Sequence, residues 1–162
     1  MKIAIIGAGN LGLSIAKGLI INNTYTDLYL TKRNLDTIRE FEEYKSVFLT
    51  TNNKEAIKNA DILIFAVQPS QFESILNEVK PHLNEKHVII STITGFPISR
   101  IETQISSDYP IIRAMPNTAI SVAKSMTCLC SNQEGESKLP IAEAIFNGLG
   151  TNLIIEEELM QA

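Results

Sequence analysis

The chain is poor in cysteine, in long apolar runs and in clustered positive charge, and each shortage closes off a class of protein. Of its 162 residues only two are cysteine, Cys128 and Cys130. In a strand these would point the same way with one residue between them. That is poor geometry for a disulfide, and a lone C-x-C is not a zinc site. They are expected to be reduced thiols in the core or on a sheet face, with no metal held. No apolar stretch approaches the ~20 residues of a membrane span, and the N-terminus reads as a strand rather than a signal peptide. Lys and Arg number 14 against 18 Asp and Glu, for a net charge of −4. With no long basic run, general nucleic-acid binding has no electrostatic footprint. Repeats and low-complexity segments are also missing. The expectation is a cytoplasmic protein with no membrane or nucleic-acid partner.

What is present begins at once. The chain is 44% hydrophobic and 20% charged, which suits one globular domain with a proper core. Lys2, Ile3, Ala4, Ile5 and Ile6 read as a buried strand. The strand runs into Gly7-Ala8-Gly9-Asn10-Leu11-Gly12, a G-x-G-x-x-G, and Leu11, Ile15 and Leu19 then take helical spacing, with Asn10 as a soft N-cap. Strand, glycine turn and helix in that order are the context in which this motif binds a dinucleotide. Gly7 makes the tight turn, Gly9 lets the backbone approach a pyrophosphate, and Gly12 lets helix and strand pack closely. The free amides and the positive helix end then face the anion.

Strands and helices alternate beyond this point. Strands are predicted over 27–31, 48–50, 61–67, 88–91, 111–114, 125–130 and 152–155. Helices are predicted over 34–44, 53–60, 70–79, 97–105 and 139–149, and 131–137 reads as a surface loop. In the helix over 34–44, Leu35, Ile38 and Phe41 share a face. The 61–67 strand is apolar on both faces, as a central parallel strand should be. The pattern implies an α/β doubly wound, Rossmann-type fold, a mostly parallel sheet with helices on both faces. The acids Glu156, Glu157 and Glu158 suit the start of a helix that reaches the last residue, Ala162.

A reader of a ribose 2′-hydroxyl ends its second strand in Asp or Glu. Here that position holds Thr31, Lys32, Arg33 and Asn34, two cations and two small hydrogen-bonding residues. A 2′-phosphate needs charge-assisted donors, and the Arg fork supplies them. NADP (NADPH) is therefore expected over NAD, with NAD as the alternative. Ligands in this fold lie beyond the carboxyl ends of the strands. That rule selects Ala66, Val67, Gln68 and Pro69, then Thr92, Ile93, Thr94 and Gly95, then Met115, Pro116 and Asn117.

The stretches IGAGNLG at 6–12, AVQPSQF at 66–72, ISTITGFPISRIE at 90–102 and RAMPNTAISVAKSMTCLC at 113–130 make the sequence resemble the pyrroline-5-carboxylate reductases. The last stretch is the most specific. The resemblance implies reduction of the C=N bond of 1-pyrroline-5-carboxylate to L-proline by NAD(P)H, the last step of proline biosynthesis. It places Ile6, Gly7, Ala8, Gly9, Asn10, Leu11 and Gly12 at the pyrophosphate. Thr31, Lys32, Arg33 and Asn34 fall at the adenosine phosphate, with Asn53 near the adenosine. Residues 66–69 and 92–95 fall on the ribose and nicotinamide side, and Met115, Pro116 and Asn117 by the nicotinamide and the substrate entrance. The family usually has lysine where Gln68 stands, and proline where Ala119 stands. It also continues into a C-terminal helical domain that forms the homo-oligomer. On this view residues 1–155 are the nucleotide-binding domain, and residues 156–162 start a helix leading to that absent domain.

Hydride transfer needs no protein nucleophile, since the cofactor carries the chemistry. The sequence offers no convincing proton donor, so no catalytic residue is assigned. His82 and His87 flank a loop at the entry side of the 88–91 strand, the wrong end of the sheet, and read as surface histidines. Lys124 and Ser125 follow the MPNT loop and are weak candidates for a ligand contact. Two alternatives stay open: a stand-alone nucleotide-binding or regulatory module, and a related NADP-dependent reductase with a different small-molecule substrate.

Overall fold

A computed structural model describes residues 1–161, and side chains as far as Met160. Its strands are β1 (Lys2–Ile6), β2 (Asp27–Thr31), β3 (Val47–Thr50), β4 (Ile62–Phe65), β5 (Val88–Ser91), β6 (Ile111–Pro116), β7 (Ser125–Ser131) and β8 (Gly150–Ile154). Its α-helices are α1 (Asn10–Asn22), α2 (Asn53–Lys58), α3 (Pro69–Val79), α4 (Ile98–Gln104) and α5 (Leu139–Asn147). The strands form one sheet in the order β3-β2-β1-β4-β5-β6-β7-β8. From β3 to β6 every pair is parallel, with Ile5 between Leu30 and Ile64 at the centre. This is the expected doubly wound, mostly parallel sheet. The order reverses at β1, whose neighbours are β2 and β4, and a ligand crevice belongs at that reversal.

β7 runs antiparallel to β6, and β8 runs parallel to β7. Residues 117–124 join β6 to β7 through a single 3-10 helix, Thr118–Val122, and a left-handed Ala123 at φ 54°. A parallel return would need a longer crossover.

Side chains alternate across the sheet, so β4 sends Ile62 and Ile64 to one face and Leu63 and Phe65 to the other. The first face packs Ile3, Ile5, Leu28 and Leu30 against Ile15 and Leu19 of α1 and against Ile145 and Phe146 of α5. The second packs Ile6, Leu63, Phe65 and Ile89 against Ile57 of α2, Phe72 and Leu76 of α3 and Ile101 of α4.

Several local expectations are corrected. The helix expected over 34–44 is present over Leu35–Glu43 and takes the 3-10 form. Its apolar residues Leu35, Ile38 and Phe41 lie three apart, and three residues per turn stacks them on one line. The strand expected over 61–67 contracts to four residues, with Ala66 and Val67 released into the turn above β4. Asn10 is not the cap of α1; Gly9 is, and no side chain caps that helix.

His87 is not a surface residue, being only 1% exposed. Its Nδ1 accepts the Asn84 amide at 3.0 Å, and its Nε2 lies 3.1 Å from the Ile57 carbonyl. The first bond leaves the proton on Nε2, which donates to Ile57 at the end of α2. The imidazole thus adds a second donor to a carbonyl that the Ala60 amide reaches only at 3.4 Å, and ties the end of α2 to the turn before β5.

The surface loop expected over 131–137 starts after β7 ends at Ser131 and leads into a 3-10 turn, Glu136–Lys138, and Asn132 anchors it. Asn132 Oδ1 accepts the amides of Ile111 and Gly135, and its Nδ2 donates to Glu102 Oε1 and to the Tyr109 carbonyl. The terminal segment is a 3-10 helix, Glu157–Gln161, and the last residue of the expected helix, Ala162, lies outside the described residues. Leu159 is exposed there, whereas Met160 is buried with its Sδ 3.4 Å from Cys130 Sγ. Cys128 and Cys130 are both free thiols, half-buried and buried. Burial pushes the Cys130 thiol up to about 11.

Candidate functional site

The glycine turn is built from steric limits. Gly7 has φ +96°, and a Cβ there would stand 2.6 Å from Val67 Cγ1. Gly12 lies so close to the turn that a Cβ would run into the Gly7 carbonyl oxygen. Gly9 is the opposite case: a Cβ there would meet no heavy atom within 4 Å. The space above Gly9 is open, as it must be where a phosphate approaches backbone.

The turn is pinned to the end of β2. Thr31 Oγ1 accepts the Gly7 amide at 3.1 Å, and the Thr31 carbonyl accepts the Ala8 amide at 2.8 Å. Thr31 is buried, so its hydroxyl serves the turn rather than a ligand. α1 starts just beyond, uncapped. Its first amides and its positive end are therefore available to an anion.

A cleft of about 370 Å³ opens over this turn. Gly7, Ala8 and Gly9 form its floor. Thr31, Lys32, Arg33 and Asn34 form one wall, Thr51 and Asn53 extend it, and Ala66, Val67, Gln68, Gln71 and Ile75 form the other. The cleft therefore sits at the carboxyl ends of β1 to β4, at the reversal in strand order. Lys32 and Arg33 take part in none of the ion pairs among the described residues. Asn34 Oδ1 is occupied by the Asp36 amide at 3.1 Å. The lining holds two cations and no carboxylate, histidine or cysteine. Such a cleft can hold a polyanion, but it has no group suited to passing a proton.

The other residues singled out in the sequence lie outside this lining. Ile6 is core, Gly12 is packed beneath the turn, Leu11 is half-buried and Asn10 is exposed. Pro69 is the first residue of α3. Thr92 donates its hydroxyl to the Phe65 carbonyl at 2.8 Å, and Ile93 is buried. Thr94 and Gly95 are exposed at the top of that turn, with Gly95 at φ +72°. Met115 and Pro116 are half-buried at the end of β6, followed by exposed Asn117. Asn117 donates its amide to Ser125 Oγ at 3.2 Å, so Ser125 is a buried support for that loop. Lys124 is exposed beside it.

Three lining residues were missed in the sequence: Thr51, Gln71 and Ile75. Gln68, Gln71 and Ile75 are spaced three and four apart, a single helical stripe on the start of α3, and that spacing was a usable signal. Thr51 carries no such signal. Among the described residues no cluster of His, Cys, Asp and Glu is placed to hold a metal ion, and no helix is long and apolar enough to cross a membrane.

Residues 2–95 match the family model described as NADP oxidoreductase, coenzyme F420-dependent. Pyrroline-5-carboxylate reductase 1 of Dictyostelium discoideum is 38% identical over 170 residues, an alignment that takes in 96% of this chain and 31% of that protein. The solved structure of a pyrroline-5-carboxylate reductase from Coxiella burnetii superposes with a TM-score of 0.90 at 33% identity, over 97% of this chain and 59% of that one. The structure of Plasmodium falciparum pyrroline carboxylate reductase with NADP bound gives 0.85 at 26% identity, over 99% and 59%. The chain thus spans about a third of the first relative and about three fifths of the other two.

Proposed function

Since the chain belongs to the family of NADP oxidoreductases described as coenzyme F420-dependent, we propose that it is the NADP(H)-binding part of a pyrroline-5-carboxylate reductase. The observation that carries this reading is the glycine turn, open above Gly9 and leading into the uncapped α1, facing a wall with two cations that take part in no ion pair among the described residues. The likeness to a relative solved with NADP bound supports the choice of cofactor.

In this reading Gly7, Ala8 and Gly9, with the amides opening α1, hold the pyrophosphate. Ile6 and Gly12 keep the turn in shape from below, and Asn10 and Leu11 supply the first turn of the helix. Arg33 and Lys32 hold the 2′-phosphate, beside Asn34, with Thr31 fixing wall to floor. Asn53 lies by the adenosine. Residues 66–69 and 92–95 line the ribose and nicotinamide side, and Met115, Pro116 and Asn117 the substrate side. Bound NADPH would supply the hydride for the C=N bond of 1-pyrroline-5-carboxylate, yielding L-proline. The protein supplies position and electrostatics.

The shorter span of this chain relative to its relatives supports a further domain in the whole protein, and we place the division at residue 155. Residues 1–155 are the nucleotide-binding body, and 156–162 lead toward a helical domain through which the whole enzyme forms a homo-oligomer. The cleft lining has no proton-passing group, which agrees with little or no turnover by these residues alone. The free thiols and the net charge of −4 agree with a cytoplasmic protein without a nucleic-acid partner.

Calorimetric titration with NADPH and NADH tests the cofactor. NADPH should bind more tightly, and Arg33→Ala should weaken it by about 1–3 kcal/mol, the range for a charged hydrogen bond, while leaving NADH nearly unchanged. Equal or tighter NADH binding in the unaltered protein would overturn the role given to Lys32 and Arg33.

A further inference from the structure

Glu157 joins two parts of the fold through one oxygen. Its Oε1 accepts from Arg113 Nη1 at 2.8 Å and from the Ile98 backbone amide at 2.8 Å. Arg113 is only 3% exposed. A buried guanidinium must be paired, and among the described residues Glu157 is its carboxylate partner. Ile98 opens α4, whose first turn has no cap from its own N-cap residue, Pro97. Met160 holds the terminal 3-10 helix down by sitting buried against Cys130 on the neighbouring strand.

Both partners adjoin segments that leave the carboxyl ends of strands. Ile98 directly follows the turn over 92–97, and Arg113 lies two residues before Met115 on β6. Neither segment lines the cleft that holds Lys32 and Arg33. In the sheet order, β5 stands three strand positions from β2, and β6 stands four. At ~4.8 Å per position these are offsets of roughly 14 and 19 Å. On the other side of β2 only the edge strand β3 remains. An extended dinucleotide anchored at β2 and β1 must therefore carry its far end toward β5 and β6.

We propose that Glu157 is a positioning residue, whose carboxylate sets the 92–97 turn and the 115–117 segment relative to each other and so shapes the subsite for the nicotinamide end of the cofactor. The inference rests on the NADP(H) reading above.

The test compares the whole cofactor with its adenosine half. Glu157→Gln keeps an oxygen for the Ile98 amide and removes the charge from Arg113. It should bind NADPH about tenfold more weakly, the scale of one charge-assisted hydrogen bond, and 2′,5′-ADP as the unaltered protein does. A double variant, Glu157→Gln with Arg113→Met, leaves no unpaired buried charge and should show the same split where the single variant folds poorly. Amide exchange should accelerate at 92–98 and 115–118 in the single variant and stay unchanged at 27–34. Unchanged NADPH affinity, an equal loss for both ligands, or faster exchange confined to 156–161 would each overturn the proposal. Failure of the unaltered protein to bind either ligand would overturn the cofactor reading and this proposal with it.

Discussion

Three glycines in one motif make opposite demands on a methyl group. At Gly12 a Cβ collides with backbone, while at Gly9 it enters open space at an ordinary φ of −82°. Gly9→Ala should therefore leave unfolding free energy within about 0.5 kcal/mol of the parent, as for a change that touches nothing, and yet weaken NADPH at least tenfold by filling the cradle. Gly12→Ala should lower stability first. Urea unfolding and calorimetry on the two variants separate folding from binding, and a Gly9→Ala protein with unaltered NADPH affinity would show that no phosphate approaches there. The motif itself announced where to look, since its spacing follows directly from those sterics. The service of Thr31 to the Gly7 amide was not legible, because the two residues lie 24 apart and only the β1–β2 register brings them together.

At the scale of elements, periodicity told helix from strand but not one helix type from another. The 34–44 segment has Leu35, Ile38 and Phe41 three apart, a spacing an α-helix also tolerates, but three residues per turn lines them up in the 3-10 form that the segment takes. His87 illustrates a different limit. A lone histidine in a polar stretch reads as solvated, and its burial depends on where α2 ends, a fact of packing. His87→Ala should lower unfolding free energy by about 0.5–1.5 kcal/mol for each hydrogen bond lost, the one from the Asn84 amide and the one to the Ile57 carbonyl, which keeps the Ala60 amide at 3.4 Å. NADPH affinity should not change, because His87 lies at the amino ends of the strands. A denaturation curve and one titration check both halves of that statement. Unchanged stability would mean that neither the Asn84 amide nor the Ile57 carbonyl depends on the imidazole.

For the whole molecule, the doubly wound parallel sheet was legible because alternating elements and a glycine turn at β1 admit few topologies. The antiparallel turn-back at β7 was not, since the sequence of 117–124 does not declare that it lacks a crossover. Stability against alkali is a property of this scale. The Cys130 thiol is pushed from 9.0 to about 11, first by burial and then by the Glu157 carboxylate. Between those values the folded protein holds a proton that the unfolded chain releases. The contribution is complete below about 9 and is lost as pH rises toward 11. Tyr25 and Tyr29, also raised mainly by burial, add to the same fall above their ordinary 10.0. The urea midpoint should therefore drop across this window, and Cys130→Ala should flatten the first part of the drop; an identical slope in that variant would assign the loss to other groups.

The polarity of the sheet has a practical side. The residues lining the cleft come from the segments that leave the carboxyl ends of β1 to β4, with Asn53 opening α2 and Gln71 and Ile75 on α3, while exposed Glu85 and Asp108 lie in turns at the amino ends of β5 and β6. A single cysteine introduced at either turn would give a thiol handle for tethering the protein to a sensor chip with its nucleotide mouth facing the flowing analyte.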